Sequence, residues 1–282
     1  MTSAPSALAH DWLGACRNAA QGLGGILRDT PLSVDRVEET GDTGEGGDQT
    51  LVIDAAAEQV VFNELQRLYD AGARFTAVSE ERGRVDFGDD AVIVVIDPID
   101  GSLNAKRGMG HHAISIAVAD GPTMADVYFG YVFDYGPGEE WRATRGEGAR
   151  LNDALIANAP PERRKQDGRL ELVAVESAAP RWLAKASDGL LTHVNRVRAM
   201  GSVAISLCQV APTRVDGMVS LTPTRSVDAA AAQLVVREAG GLIAFPAYDD
   251  PLGAPLDLEP HSPVVAARSQ DGLARLCGVV GY

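Results

Sequence analysis

Six consecutive apolar residues, Ala91-Val-Ile-Val-Val-Ile96, run directly into the turn sequence Asp97-Pro-Ile-Asp-Gly-Ser102. The β-branched run predicts a buried strand, and its length is far below the ~20 residues that a membrane helix needs. Ligands on sheets gather beyond the carboxyl ends of strands, and this end carries two carboxylates three residues apart. Pro98 fixes one φ angle and Gly101 permits a tight turn, so Asp97 and Asp100 can converge on one point while backbone N–H groups after Gly101 face outward. Hard oxygen ligands of this kind suit magnesium. Asp, Pro and Gly are also common turn formers, and the segment alone reads equally well as a turn. A calcium-binding EF-hand loop is excluded by spacing, because the twelfth position counted from Asp97 is Gly108 rather than Glu.

Around this strand the chain divides into two patterns. Leu8, Trp12, Leu13, Cys16, Ala19, Ala20, Leu23 and Leu27 recur at helical spacing, predicting one amphipathic helix stopped by Asp29-Thr30-Pro31. Glu38 to Asp48, rich in Gly and acid and without apolar residues, reads as a flexible loop. A second helix is expected from about Asp54 to Tyr69, then strands at Ala113 to Ala119 and Val127 to Phe133. After Asn152 strand and helix alternate: a strand near Leu170 to Val175, helices near Pro180 to Leu190, Ser202 to Val210 and Asp228 to Ala239, a strand at Val264 to Ala266, and a last helix. This order predicts an α+β half followed by an α/β half, residues 1–155 and 156–282, joined by the polar, proline-containing stretch 159–168.

The chain has a formal net charge of -14 and a pI near 4.7, which argues against a duplex binder, since that needs a basic stripe facing the phosphates. An anionic ligand would need local positive charge, and a divalent cation in an acidic pocket can supply it. With 45% hydrophobic and 23% charged residues, the composition is that of an ordinary folded chain. The first basic side chain is Arg17, so the N-terminus does not read as a secretory signal. Cys16, Cys208 and Cys277 are odd in number and far apart, which fits a reducing compartment, and the expected location is the cytoplasm.

Other carboxylates are ambiguous one by one. Ser79-Glu-Glu81 sits at an expected strand end, where a Glu pair is commonly a solvated surface. Asp228, in Arg225-Ser-Val-Asp-Ala-Ala-Ala-Ala232, stands at the start of an alanine-rich helix closed by Gly240-Gly241, and an N-cap is the ordinary role there. Asp54 has the same ambiguity at the second helix.

Taken in order, Asp54, Ser79-Glu-Glu81, Asp97-Pro-Ile-Asp-Gly-Ser102, Gly201-Ser202 and Asp228-Ala-Ala with Glu238-Ala-Gly-Gly241, the chain resembles the inositol monophosphatase and fructose-1,6-bisphosphatase superfamily over nearly its whole length. Gly-Gly-Asp-Gln-Thr50 and Arg225-Ser-Val-Asp228 are most similar to the archaeal-type members that act on both kinds of substrate. The resemblance implies a layered αβαβα sandwich of the sugar-phosphatase type and two or three magnesium ions. Glu80, Asp97 and the carbonyl of Ile99 would hold one ion, and Asp97, Asp100 and Asp228 another. Asp54 and Ser102 would orient or deprotonate the attacking water. Gly101 and Ser102, through their backbone N–H groups, would hold the phosphate, with Gly201 and Ser202 as further substrate contacts. It also implies lithium sensitivity, a homodimer, a small phosphorylated metabolite as partner, and no covalent phosphoenzyme.

The chain departs from the family pattern in places. Ala105 follows Asn104 where an aromatic is frequent, Val227 stands where a Trp often precedes the distant Asp, and Leu221 stands where animal inositol monophosphatases carry a substrate-binding Glu. The expected substrate is therefore a small sugar or cyclitol phosphate. A 3′-phosphoadenosine 5′-phosphate or histidinol-phosphate phosphatase, or a non-catalytic binder of phosphorylated ligands, are the alternatives. His111-His112 is expected at the rim or in a structural role. Arg107, Arg198 and Arg225 are either surface residues or contacts to a second substrate phosphate. Gly22-Leu-Gly-Gly25 lacks the preceding strand of a dinucleotide loop.

Overall fold

The computed structural model describes residues 6–30, 39–43, 49–157 and 159–282. Helix α1 (Trp12–Asp29) starts where the Asp11 side chain accepts a hydrogen bond from the Gly14 N–H at 2.8 Å, after a short 3₁₀ turn at Ser6–Ala9. Thr30 closes the helix by donating to the Ile26 carbonyl, while Pro31 lies outside the described residues. The predicted stripe is buried: Trp12, Cys16, Ala19, Leu23 and Leu27 face α2 (Val52–Asp70) and the sheet beyond it. Within Glu38–Asp48, the expected loop is partly strand: β1 (Glu39–Thr43) pairs antiparallel with β2 (Gln49–Leu51), and residues 44–48 lie outside the described set. Strand pairing needs only backbone groups, so the lack of apolar side chains did not exclude it.

Seven strands form the first sheet: β3 (Phe75–Ser79), β4 (Gly83–Asp100), β5 (Ala113–Ala119), β6 (Val127–Asp134), β7 (Glu139–Thr144), β8 (Gly148–Leu151) and β9 (Ala154–Leu155). From β4 onward it is an antiparallel meander. β3 lies between two parts of β4, with Ser79 opposite Gly83 on one side and Ile96 on the other. The apolar run of β4 is buried on both faces. Val92, Val94 and Ile96 pack under α1 and α2, whereas Ile93 and Val95 join the core on the opposite side.

Helix α3 (Ser102–Lys106) follows β4 directly. The second sheet is ordered β11-β10-β12-β14-β13, with β10 (Val173–Glu176) parallel to β11 (Val197–Arg198) and to β12 (Gly217–Ser220). Strands β13 (Leu242–Ala244) and β14 (Val265–Ala267) complete it antiparallel. The helix expected over Pro180–Leu190 is two helices, α4 (Pro180–Lys185) and α5 (Ser187–His193), broken at Ala186, whose buried methyl joins a third apolar core with Val173, Val219 and Leu276. Helices α6 (Val203–Val210) and α7 (Ser226–Glu238) lie between the sheets, and α8 (Gln270–Val279) covers the outer face of the second with α5. The layers are therefore α1/α2, sheet, α6/α7, sheet, α4/α5/α8, the expected αβαβα sandwich. Stretch 159–168 is pinned rather than loose: Arg163 N–H donates to Asp216 at 2.7 Å and the Thr213 hydroxyl to the Pro160 carbonyl at 2.7 Å. Among the described residues, no helix is long and apolar enough to cross a membrane.

Candidate metal centre

A regular strand would turn Asp97 and Asp100 to opposite faces, because their spacing is odd and side chains alternate with period two. The register against β5 removes the conflict. Asp97 lies opposite Ser115 and Asp100 opposite Ala113, so one extra residue is inserted on β4. This bulge turns both carboxylates to one side. It also explains Pro98, which donates no ladder hydrogen bond. Asp97 accepts from the Ile99 N–H at 2.9 Å, which tightens the turn. Gly101 follows at φ +86°, and a Cβ there would meet the His111 carbonyl at 2.8 Å and the Gly201 carbonyl at 3.0 Å. Only glycine fits, and its bareness lets the turn lie against the strand-to-helix loop of the second half. Asn104 ties the same junction, donating to the carbonyls of His111 at 2.9 Å and Met200 at 2.7 Å.

Asp228 arrives from α7. It is the third residue of that helix rather than its N-cap, a position held by Arg225 without a side-chain cap. The cap reading fails, and the carboxylate points out of the helix start. Oxygens of Asp97, Asp100 and Asp228 lie within 4.8 Å of one another, although the first two come from a strand of the first sheet and the third from the helix layer beneath it. Asp97 is 1% exposed and Asp100 6%. Burial, then the neighbouring Glu80, Asp100 and Asp228, push the Asp97 carboxyl well above its ordinary range. Burial and Asp228 push Asp100 up to about 8, against the hydrogen bonds it accepts. Carboxylates that resist ionisation together want a cation between them, and an all-oxygen set of hard donors fits a hard divalent ion such as magnesium, calcium or manganese.

Glu80, at the end of β3, is held differently: its oxygen is 2.7 Å from Arg225. It lines a small cavity with Asp54, Ile99, Ser102 and Lys106, beside the three-carboxylate cluster. Asp54 is buried near the start of α2, with the Lys106 ammonium 3.9 Å away. The structure thus gathers Asp54, Glu80, Ile99 and Ser102 around one cavity and brings Asp97 and Asp100 together with Asp228, while Gly101 forms the turn between Asp100 and Ser102. On the other side an open cleft of about 660 Å³ is walled by Asp100, Asp228, Arg225, Gly201 and Trp182. Ser202, expected as a substrate contact, is 1% exposed, and its hydroxyl is committed to Asp100 at 2.5 Å while it caps α6 by accepting from the Ile205 N–H. The Ala204 N–H adds a second bond to the same Asp100 oxygen at 2.7 Å.

Three residues were not found from sequence. Glu176 ends β10 and accepts from the N–H groups of Met200 and Gly201 and from the Ser206 hydroxyl, shaping the loop that carries Ser202. Its signal was present, a short apolar run ending in a carboxylate, as at Asp97. Glu58, one helical turn after Asp54, accepts from the Ser79 hydroxyl and the Arg82 N–H and so fixes the turn bearing Glu80. Lys106 stands one turn after Ser102 on α3. Among the other candidates, His112 stacks on Tyr135 and bonds the Met109 carbonyl, and His111 meets Asp134 at 3.4 Å, both structural roles. Arg198 lies by a separate depression with Arg163 and Asp216, and Arg107 is exposed. Leu221 packs against the third core and does not line the cleft. Glu238 of the expected motif holds the N–H groups of Gly146 and Gly148 and has a structural task.

A layered αβαβα fold with a buried oxygen cluster where the first sheet meets α7 is that of a class of metal-dependent hydrolases, and the comparisons with known proteins agree. The chain belongs to the inositol monophosphatase family, whose model matches residues 10–279, and so to the phosphoric monoester hydrolases. A fructose-1,6-bisphosphatase/inositol-1-monophosphatase of Methanothermobacter thermautotrophicus is 32% identical over 211 residues, 71% of this chain and 72% of that protein. The Nus factor SuhB of Escherichia coli is 32% identical over 247 residues, 83% of this chain and 85% of its own. A solved inositol monophosphatase-fructose 1,6-bisphosphatase superposes with a TM-score of 0.80 at 25% identity, covering 96% of this chain and all of the other.

Proposed function

We propose that this chain is a magnesium-dependent phosphomonoesterase acting on a small sugar or cyclitol phosphate, inositol-1-phosphate or fructose-1,6-bisphosphate first among them. The observation that carries the reading is the convergence of Asp97, Asp100 and Asp228 within 4.8 Å beside an open cleft. Glu80, Asp97, the Ile99 carbonyl, Asp100 and Asp228 would hold the ions. When bound, such ions lower the pKa of a coordinated water toward neutrality and stabilise the departing alkoxide. Asp54, buried and lining the same cavity as Ser102 and Glu80, takes the proton of the attacking water, and the Ser102 hydroxyl orients it. Backbone N–H groups of Gly101 and Ser102 hold phosphate oxygens, while Gly201 walls the cleft on the facing side. Ser202 positions Asp100 through its hydroxyl and also lines the cleft beside Gly201. Residues 1–155 supply most of the ligands and residues 156–282 the distant Asp228 and the cleft wall. The names of the relatives from archaea support a sugar or cyclitol phosphate as substrate.

The test is a phosphate-release panel with inositol-1-phosphate, fructose-1,6-bisphosphate, phosphoadenosine phosphate and histidinol phosphate, with magnesium and after chelation. Release from one of the first two that needs magnesium and is inhibited by lithium is expected. Release unaffected by chelation, or from none of the four, sinks the reading.

A further inference from the structure

Arg225 is a cation built in beside the carboxylates Glu80 and Asp228, on the side of the site away from Lys106, which faces Asp54. One guanidinium nitrogen lies 2.7 Å from Glu80 and the other 3.1 Å from Asp228. The side chain is only 23% exposed, and it sits on the wall of the open cleft with Asp100 and Asp228. The planar fork of guanidinium fits two acceptors at once, so it clamps the end of β3 to the start of α7. A divalent cation that takes an oxygen of Glu80 or Asp228 meets a fixed positive charge already bonded to those groups. At spacings of ~4 Å and partial burial, such like charges do not share ligands without strong repulsion.

We propose that Arg225 is an intrinsic competitor of the metal: guanidinium and divalent cation exchange on Glu80 and Asp228, and the site fills only when the cation breaks both ion pairs. The inference rests on the proposed magnesium chemistry and adds a regulatory property to it, a built-in threshold for cation uptake. It also gives Arg225 a second task, holding the carboxylates together until the cation arrives. A purely structural Arg225, one that merely orients Asp228 as a ligand, has the opposite consequence: its removal weakens cation binding or leaves it unchanged.

The sign of the effect decides between the two. Magnesium is titrated calorimetrically into chelator-stripped wild type, Arg225→Met and Arg225→Lys, and each is melted stripped and magnesium-saturated. Exchange requires that Arg225→Met bind magnesium tighter by about tenfold or more. Its stripped form melts lower than wild type, and the gain on adding magnesium is larger. Arg225→Lys, which keeps the charge without the fork, falls between and guards against a Met variant that does not fold. Magnesium binding that is equal or weaker in both cooperatively folded variants overturns the competitor role and leaves the phosphatase reading standing. No magnesium uptake by wild type or either variant overturns the metal reading and this inference with it.

Discussion

Asp97 and Asp100 show what burial does to a carboxylate. Each is almost wholly removed from water, each faces like charge, and each is pushed toward the neutral acid, Asp100 up to about 8. Such a group is unfavourable as an anion until a cation balances it. Asp100→Asn keeps the shape and removes the charge, so phosphate release should fall by about a thousandfold or more, the rate equivalent of several kcal/mol of metal stabilisation. The stripped variant should melt at or above wild type, because the substitution removes a buried like charge. Steady-state turnover and a thermal melt check both halves, and normal turnover would falsify the assignment. Ser202 tests a different property. Its hydroxyl and the Ala204 N–H together aim one oxygen of Asp100. Groups that orient a ligand typically set 10–100-fold of metal affinity, so Ser202→Ala should lower magnesium affinity by about that factor with an unchanged circular dichroism spectrum. An unchanged affinity would return Ser202 to the substrate contacts.

Helix α7 and strand β6 carry the geometry at the next scale. Four alanines, Ala229 to Ala232, are fully buried between the two sheets, and the small side chains let the backbone come close. At Gly130 of β6 the approach is so close that an added Cβ would lie 2.5 Å from the Ala231 carbonyl oxygen. Gly130→Ala must push α7 off the sheet, at about 1–3 kcal/mol for overpacking. Since Asp228 rides on α7, the same variant should lose magnesium affinity, measurable beside the melt. A lower melting temperature with unaltered metal affinity would show that α7 yields locally and leaves its first turn in place. These elements also show what was legible beforehand. The β4 run was readable because burial on both faces forces an unbroken apolar stretch, and α1 because its stripe has helical period. The bulge at Asp97–Asp100 was not, since it is a mismatch with β5 and exists only in the pairing. The break at Ala186 was equally hidden, because apolar spacing continues through it. Asp54 and Asp228, read as possible caps, proved to lie inside their helices. Asp228 entered the site through family resemblance, as no local pattern links it to a strand end more than a hundred residues earlier.

For the molecule as a whole, the carboxylate cluster depends on the assembly of both sheets, because one apolar core contains Val95 and Trp141 of the first sheet, Ala231 and Leu234 of α7, and Met218 and Ala266 of the second. Electrostatic stress at the centre is therefore stress on the entire fold. Burial raises Glu80, Asp97, Asp100 and Glu176 in the folded state, whereas the unfolded chain titrates them in the ordinary carboxylate range. Between that range and about 8, the folded protein holds more protons than the unfolded one. Stability then falls as pH rises, since the slope follows protons bound unfolded minus protons bound folded. Below the unfolded pKa both states are protonated and the penalty is absent; above the folded pKa it is complete. Stripped protein should thus melt progressively lower from about pH 5 to about pH 8, and saturating magnesium should flatten or reverse that slope by favouring the ionised cluster. Melts at intermediate pH values with and without chelator give the comparison directly. If the two series run parallel, cation binding is not linked to these carboxylates, and the cluster would be an acidic core feature rather than a metal centre.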